Sequence, residues 1–116
     1  MGRLTTHVLD TAQGCPAANV DILLYAVDAE RQLLKQDQTN ADGRLDAPIL
    51  DAVDFKPGVY ELVFHAGDYF RASQLDLPDP PFVDEVVVRF GIAEADAHYH
   101  VPLLVSPWAY STYRGS

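Results

Sequence analysis

Strand periodicity dominates the chain. Val20, Ile22, Leu24 and Ala26 alternate with Asp21, Leu23, Tyr25 and Val27. That β-branched and aromatic run predicts a strand buried on both faces. Asn40-Ala41-Asp42-Gly43 carries the Asx and glycine chemistry of a tight turn, with Arg44 directly after it, and predicts a hairpin. Pro57-Gly58 marks a further turn. The strand over 59–66 follows, with Tyr60, Leu62 and Phe64 on one face and Val63 and His65 on the other. Residues 67–74 predict one short helix, before Pro78, Pro80 and Pro81 forbid regular structure. Residues 86–90 and 100–105 read as strands, and Pro107 separates the second of these from the stretch 108–114. With an N-terminal strand carrying Thr5, Thr6 and His7, seven to eight short strands result. Turn signals roughly every ten residues then suggest an all-β sandwich of two sheets.

Composition narrows what such a sandwich does. The 116 residues make one domain, 1–116, with 48% hydrophobic and 22% charged residues and no linker, repeat or low-complexity tract. Eight Lys and Arg against 17 Asp and Glu give a net charge of −9, which repels phosphate backbones and anionic lipid surfaces. Nucleic acid and membrane are therefore excluded as partners. A small anionic ligand would have to be met by Arg or His gathered locally against the global field. Cys15 is the sole cysteine, so no intrachain disulfide forms and nothing argues for an oxidising compartment. Residues 1–9 lack the apolar core of a secretory leader, and no apolar run reaches membrane-spanning length. The cytoplasm is the expected location. Trp108-Ala109-Tyr110 offers few charges to protect a sheet edge, which predicts association between copies of the chain.

Chemistry concentrates in a few places. His7 stands in the first strand, Arg44 after the turn, and His98 and His100 two residues apart, on one face of a common strand. The last two histidines could suggest a metal site, but no third ligand is suitably spaced and there is no His-x-x-x-His or cysteine pair. No metal or cofactor is expected. His65 reads as structural, Asp84 and Glu85 as neighbours facing opposite ways, and Cys15 as a bystander thiol. The chain ends on Tyr113-Arg114-Gly115-Ser116, placing a phenol, a guanidinium, a hydroxyl and a carboxylate within four positions. Such a tail can line a site.

Three blocks carry a resemblance. The start, residues 4–11 (Leu-Thr-Thr-His-Val-Leu-Asp-Thr) with Gly14-Cys15-Pro16-Ala17, resembles the opening of the transthyretin-like 5-hydroxyisourate hydrolases. The middle block Thr39-Asn40-Ala41-Asp42-Gly43-Arg44 resembles that family's turn and arginine. The end, from His98-Tyr99-His100 through Ser106-Pro107 to Ser111-Thr112-Tyr113-Arg114-Gly115-Ser116, is similar to its C-terminal signature. The blocks lie in order across essentially the whole chain.

The resemblance implies a transthyretin-like (prealbumin-like) sandwich of two four-stranded sheets with one short helix. It further implies a homotetramer with active sites in clefts at the subunit interface. The implied reaction is hydrolysis of 5-hydroxyisourate to 2-oxo-4-hydroxy-4-carboxy-5-ureidoimidazoline, in urate catabolism towards allantoin. Carried over by motif, the catalytic residues are His7, Arg44 and His100, and the substrate-binding set adds Tyr113, Arg114, Gly115 and Ser116; His98 is left at the cleft rim or in solvent. In chemical terms, His100 positions or deprotonates a water, while His7 orients it, polarises the substrate or shuttles a proton. Arg44 stabilises developing negative charge by a two-point contact. Arg114 supplies a second cation. The rival reading is a non-catalytic transthyretin-like carrier of hormone-type small ligands. That carrier lacks the equivalents of His7 and the Tyr-Arg-Gly-Ser tail, which favours the enzyme.

Overall fold

The computed structural model describes residues 1–73 and 75–115. Their elements run β1 (Arg3–Asp10), β2 (Cys15–Pro16), β3 (Asp21–Val27), β4 (Arg31–Gln38), β5 (Leu50–Asp51), β6 (Gly58–His65), α1 (Ala66–Ala72), β7 (Glu85–Ile92), β8 (His98–Val105) and β9 (Tyr110–Thr112). One turn of 3-10 helix, Ala52–Asp54, follows β5. Two sheets result. One is ordered β2-β1-β8-β9, with β5 also on β1, and the other β4-β3-β6-β7. The sandwich is thus as expected, with nine strands rather than seven or eight and five rather than four in one sheet. The additions, β2 and β5, are two residues each, too short to register as alternation.

The core follows from period-two burial. In β1, Leu4, Thr6, Val8 and Asp10 are buried while Arg3, Thr5, His7 and Leu9 face outward. In β8, Tyr99, Val101, Leu103 and Val105 are buried and His98 and His100 lie on the other face. Leu4, Val8, Ile22, Leu24, Leu62, Phe64 and Leu103 retain 0% exposure, and each such side chain contributes about 1.5–3 kcal/mol on burial. The short helix α1, predicted over 67–74, closes one end of this core through Phe70.

Two expectations need correction. The run predicted to bury both faces, β3, buries only Ile22 and Leu24, whereas Leu23 and Tyr25 are half-buried. The outer face of Tyr25 is covered instead by the Arg31 guanidinium, 3.7 Å from its ring centroid. The hairpin is also displaced. It joins β3 to β4, an edge strand exposed along all eight residues, whose polar sequence gives no alternation to read. The turn at 40–43 does form, with the Asn40 side-chain oxygen accepting from the amides of Asp42 (2.9 Å) and Arg44 (3.2 Å). It leads into a single bridge between Arg44 and His7 rather than into a paired strand.

Candidate active site

The outward face of the five-stranded sheet gathers the candidate residues because β1 and β8 run parallel. Their register sets Arg3 opposite His98, Thr5 opposite His100 and His7 opposite Pro102. Alternation then puts Arg3, Thr5 and His7 of one strand beside His98 and His100 of the other, all facing away from the core. Arg44 reaches the same face from the far side of β1 through its bridge to His7.

The 40–43 turn holds Arg44 there. Gly43 has φ +74°, and a Cβ at that position would run into the Val8 carbonyl oxygen, so only glycine lets the turn press against β1. The Gly43 carbonyl accepts from the Val8 amide at 2.8 Å. The same turn fixes His7, whose Nε2 lies 2.9 Å from the Asp42 carbonyl oxygen. A carbonyl only accepts, so Nε2 carries the proton and Nδ1 of the neutral ring keeps its lone pair.

On the other side, the tail folds back onto His100. The Gly115 amide donates to the His100 carbonyl at 2.7 Å. A Cβ on Gly115 would stand 2.9 Å from Cδ2 of that imidazole. Glycine therefore allows the tail backbone to close over the ring. Tyr113 and Arg114 flank it, the former exposed, the latter with its guanidinium 4.0 Å from the Tyr99 ring centroid. Ser116 lies outside the described residues.

Two open clefts meet at His98 and His100. One, of about 490 Å³, is lined by Arg3, Thr5, Arg44 and both histidines. The other, of about 840 Å³, is lined by the two histidines with Tyr113, Arg114 and Gly115. Electrostatics separates these residues from the rest of the surface. Arg31, Arg71 and Arg89 are all in ion pairs. Arg3, Arg44 and Arg114 make none among the described residues, and all three border the clefts. In a chain of net charge −9, three guanidiniums without a carboxylate partner among the described residues, gathered around these clefts, suit an electron-rich ligand.

Burial and neighbouring positive charge favour the neutral form of both His7 and His100. Burial, then the Arg44 guanidinium, then His98 and His7 place His100 below its ordinary value. His7 is lowered by burial and by Arg44, against smaller opposing effects from Asp42. A neutral imidazole beside a cation suits proton abstraction. Among the described residues no group of three His, Cys, Asp or Glu side chains is placed to hold a metal ion.

His98, expected at the cleft rim or in solvent, stands where the two clefts meet. It is half-buried, lines both clefts and shares the Thr5 hydroxyl with His100, Oγ1 lying 2.8 Å from Nε2 of His98 and 2.8 Å from Nδ1 of His100. Thr5 was not among the candidates. Its signal was there in part, since it stands two residues before His7 and so shares that residue's face.

Residues 4–115 match the model of the HIUase/Transthyretin family. The chain is 62% identical to 5-hydroxyisourate hydrolase of Pseudomonas aeruginosa over 117 residues, covering 100% of this chain and 93% of that one. Among solved structures, that of Klebsiella pneumoniae 5-hydroxyisourate hydrolase is similar with a TM-score of 0.83 and 33% identity, over 100% of both chains. The crystal structure of (S)-allantoin synthase is similar with a TM-score of 0.95 and 47% identity; 99% of this chain matches, but it spans only 44% of that longer one. The chain belongs to the HIUase/Transthyretin family.

Proposed function

We propose that this protein is an enzyme that hydrolyses 5-hydroxyisourate to 2-oxo-4-hydroxy-4-carboxy-5-ureidoimidazoline, a step of purine catabolism towards allantoin. The 62% identity to a 5-hydroxyisourate hydrolase over the whole chain supports the reaction. The observation that carries the mechanism is the placing of His7, Arg44 and His100 on one sheet face, Arg44 being bridged to His7 and lining the same cleft as His100.

Opening a cyclic amide forms a bond from water oxygen to the carbonyl carbon and breaks the ring C–N bond. Nε2 of His100 takes the water's proton. Arg44 binds the carbonyl oxygen and stabilises the negative charge that develops there. His7, with Nδ1 free to accept, orients the water. The proton gathered on the imidazole passes to the departing ring nitrogen, so no charge is left on the enzyme after turnover. Tyr113, Arg114, Gly115 and Ser116 bind the substrate's far edge. No cofactor takes part. Replacing His7 or His100 by Ala lowers kcat at least about a hundredfold without loss of folded protein by circular dichroism; a near-normal rate removes that residue from the mechanism.

The chain acts as one domain over 1–116, in the cytoplasm, and assembles as a homotetramer with each site completed at a subunit interface. Open clefts and the exposed aromatic side chains Trp108, Tyr110 and Tyr113 beside edge strand β9 support the assembly. No helix among the described residues is long and apolar enough to cross a membrane.

A further inference from the structure

The Thr5 hydroxyl has one proton and stands between two histidine nitrogens, and that count constrains the chemistry of both rings. It lies 2.8 Å from Nε2 of His98 and 2.8 Å from Nδ1 of His100. Two arrangements give every group a partner, the hydroxyl proton included; a third, in which the hydroxyl accepts from both rings through its two lone pairs, leaves that proton without a partner among the described residues. In the first, the hydroxyl donates to His98 and accepts from an N–H at Nδ1 of His100, which leaves Nε2 of His100 a bare lone pair. In the second, the hydroxyl accepts from His98 and donates to Nδ1 of His100, which puts the proton of the neutral ring on Nε2 and leaves no base facing the cleft.

Protonation decides between them. Once Nε2 of His100 has accepted a proton, both ring nitrogens are donors and Nδ1 needs an acceptor. The first arrangement provides one before and after the transfer, with no atom turned. The second requires the hydroxyl to turn from donor to acceptor at Nδ1 of His100 as the cation forms. We propose that Thr5 is a positioning residue that holds His100 as the Nδ1–H tautomer by donating its O–H hydrogen bond to Nε2 of His98, so that His98 is the terminal acceptor of a three-residue hydrogen-bond chain.

The fold supports such a role. Thr5 is directly opposite His100 in the central parallel pair of the sheet, and its β-branched side chain is stiff about χ1. His98 shares the outward face of β8 with His100, ring centroids 6.2 Å apart. Acceptance at Nε2 requires an uncharged His98 ring, and burial followed by the neighbouring Arg3 guanidinium favours that form. Among the described residues Nε2 of His100 makes no hydrogen bond, so it is the nitrogen left for a ligand. This inference rests on the hydrolase reading for its catalytic consequence, but the tautomer it assigns is a property of the free protein.

Two measurements test it. Nitrogen-15 NMR of the histidine-labelled protein, at a pH where the rings are neutral, finds both His98 and His100 protonated at Nδ1. Thr5→Val, and separately His98→Phe, moves His100 to the Nε2–H form. In kinetics, Thr5→Val lowers kcat at least about tenfold, the lower end of the loss when an outer partner orienting a metal-bound imidazole is removed, with KM changed less than about twofold, and Thr5→Ser restores most of the loss. An Nε2–H tautomer at His100 in the unaltered protein, or a Thr5→Val enzyme with unchanged kcat, overturns the assignment. Should the protein fail to turn over 5-hydroxyisourate at all, the hydrolase reading fails by itself and the NMR result still decides the hydrogen-bond chain.

Discussion

Arg44 is the residue on which the site's chemistry converges. It bridges β1 at His7, lines the cleft and lowers the proton affinity of both His7 and His100. A base works only as the neutral ring, so activity is present above the lowered His100 value and is lost as pH falls through it. The groups acting on His100 are Arg44, His98 and His7, after burial itself. Arg44→Met removes one of these causes, and the acidic limb of kcat/KM moves up towards the ordinary histidine value of 6.5 while the rate above it falls. A limb that stays in place in the pH profile would mean that Arg44 has no electrostatic hold on the base. That His7, Arg44, His100 and residues 113–115 come together was suggested by the sequence because each sits in a recognisable block. Thr5 was not, because a threonine in a strand is commonplace and its role arises only from pairing with a residue 95 positions away.

The elements differ in how plainly they announce themselves. Strand β6 and helix α1 were legible from alternation and from the prolines that follow. Strand β4, reading Arg-Gln-Leu-Leu-Lys-Gln-Asp-Gln, was not, because both its faces meet solvent and no hydrophobic period marks it. What ties the four-stranded sheet together on its outer face is Glu61 of β6. It accepts from Arg31 at 2.9 Å and from Arg89, its partner across β7, at 3.0 Å. Burial pushes this carboxyl up, and the two arginine hydrogen bonds outweigh burial to leave it below its ordinary 4.5. The folded state therefore prefers the ionised form. The stability this contributes is present above pH 4.5 and is lost as pH falls through the lower folded value. Glu61→Gln is less stable than the unaltered protein at neutral pH by about 1–3 kcal/mol, and its melting temperature falls less steeply on acidification. Parallel melting curves for the two proteins across the acid range would contradict this account.

At the scale of the molecule, charge and shape are divided between the faces. The chain carries −9 overall, yet Arg3, Arg44 and Arg114 surround clefts on one sheet. Beyond that sheet's last strand, Trp108 stacks on Phe82, centroids 6.2 Å apart, and both remain more than half exposed. The sandwich was legible from strand spacing, whereas the cleft was not, since it needs the parallel pairing of the first and eighth strands. Assembly follows the exposed aromatic side chains: sedimentation velocity finds four chains, and Trp108→Glu with Tyr110→Glu yields smaller species with reduced turnover. A single-chain species at working concentration in the unaltered protein would place the complete site within one subunit.

The most direct measurement is the ultraviolet decay of 5-hydroxyisourate generated in place by urate oxidase, followed with and without the protein and with Arg44→Ala. Decay accelerated by the protein and returned towards the spontaneous rate in Arg44→Ala is the predicted result. Decay unchanged by a correctly folded protein would contradict the hydrolase and turn attention to ligand carriage.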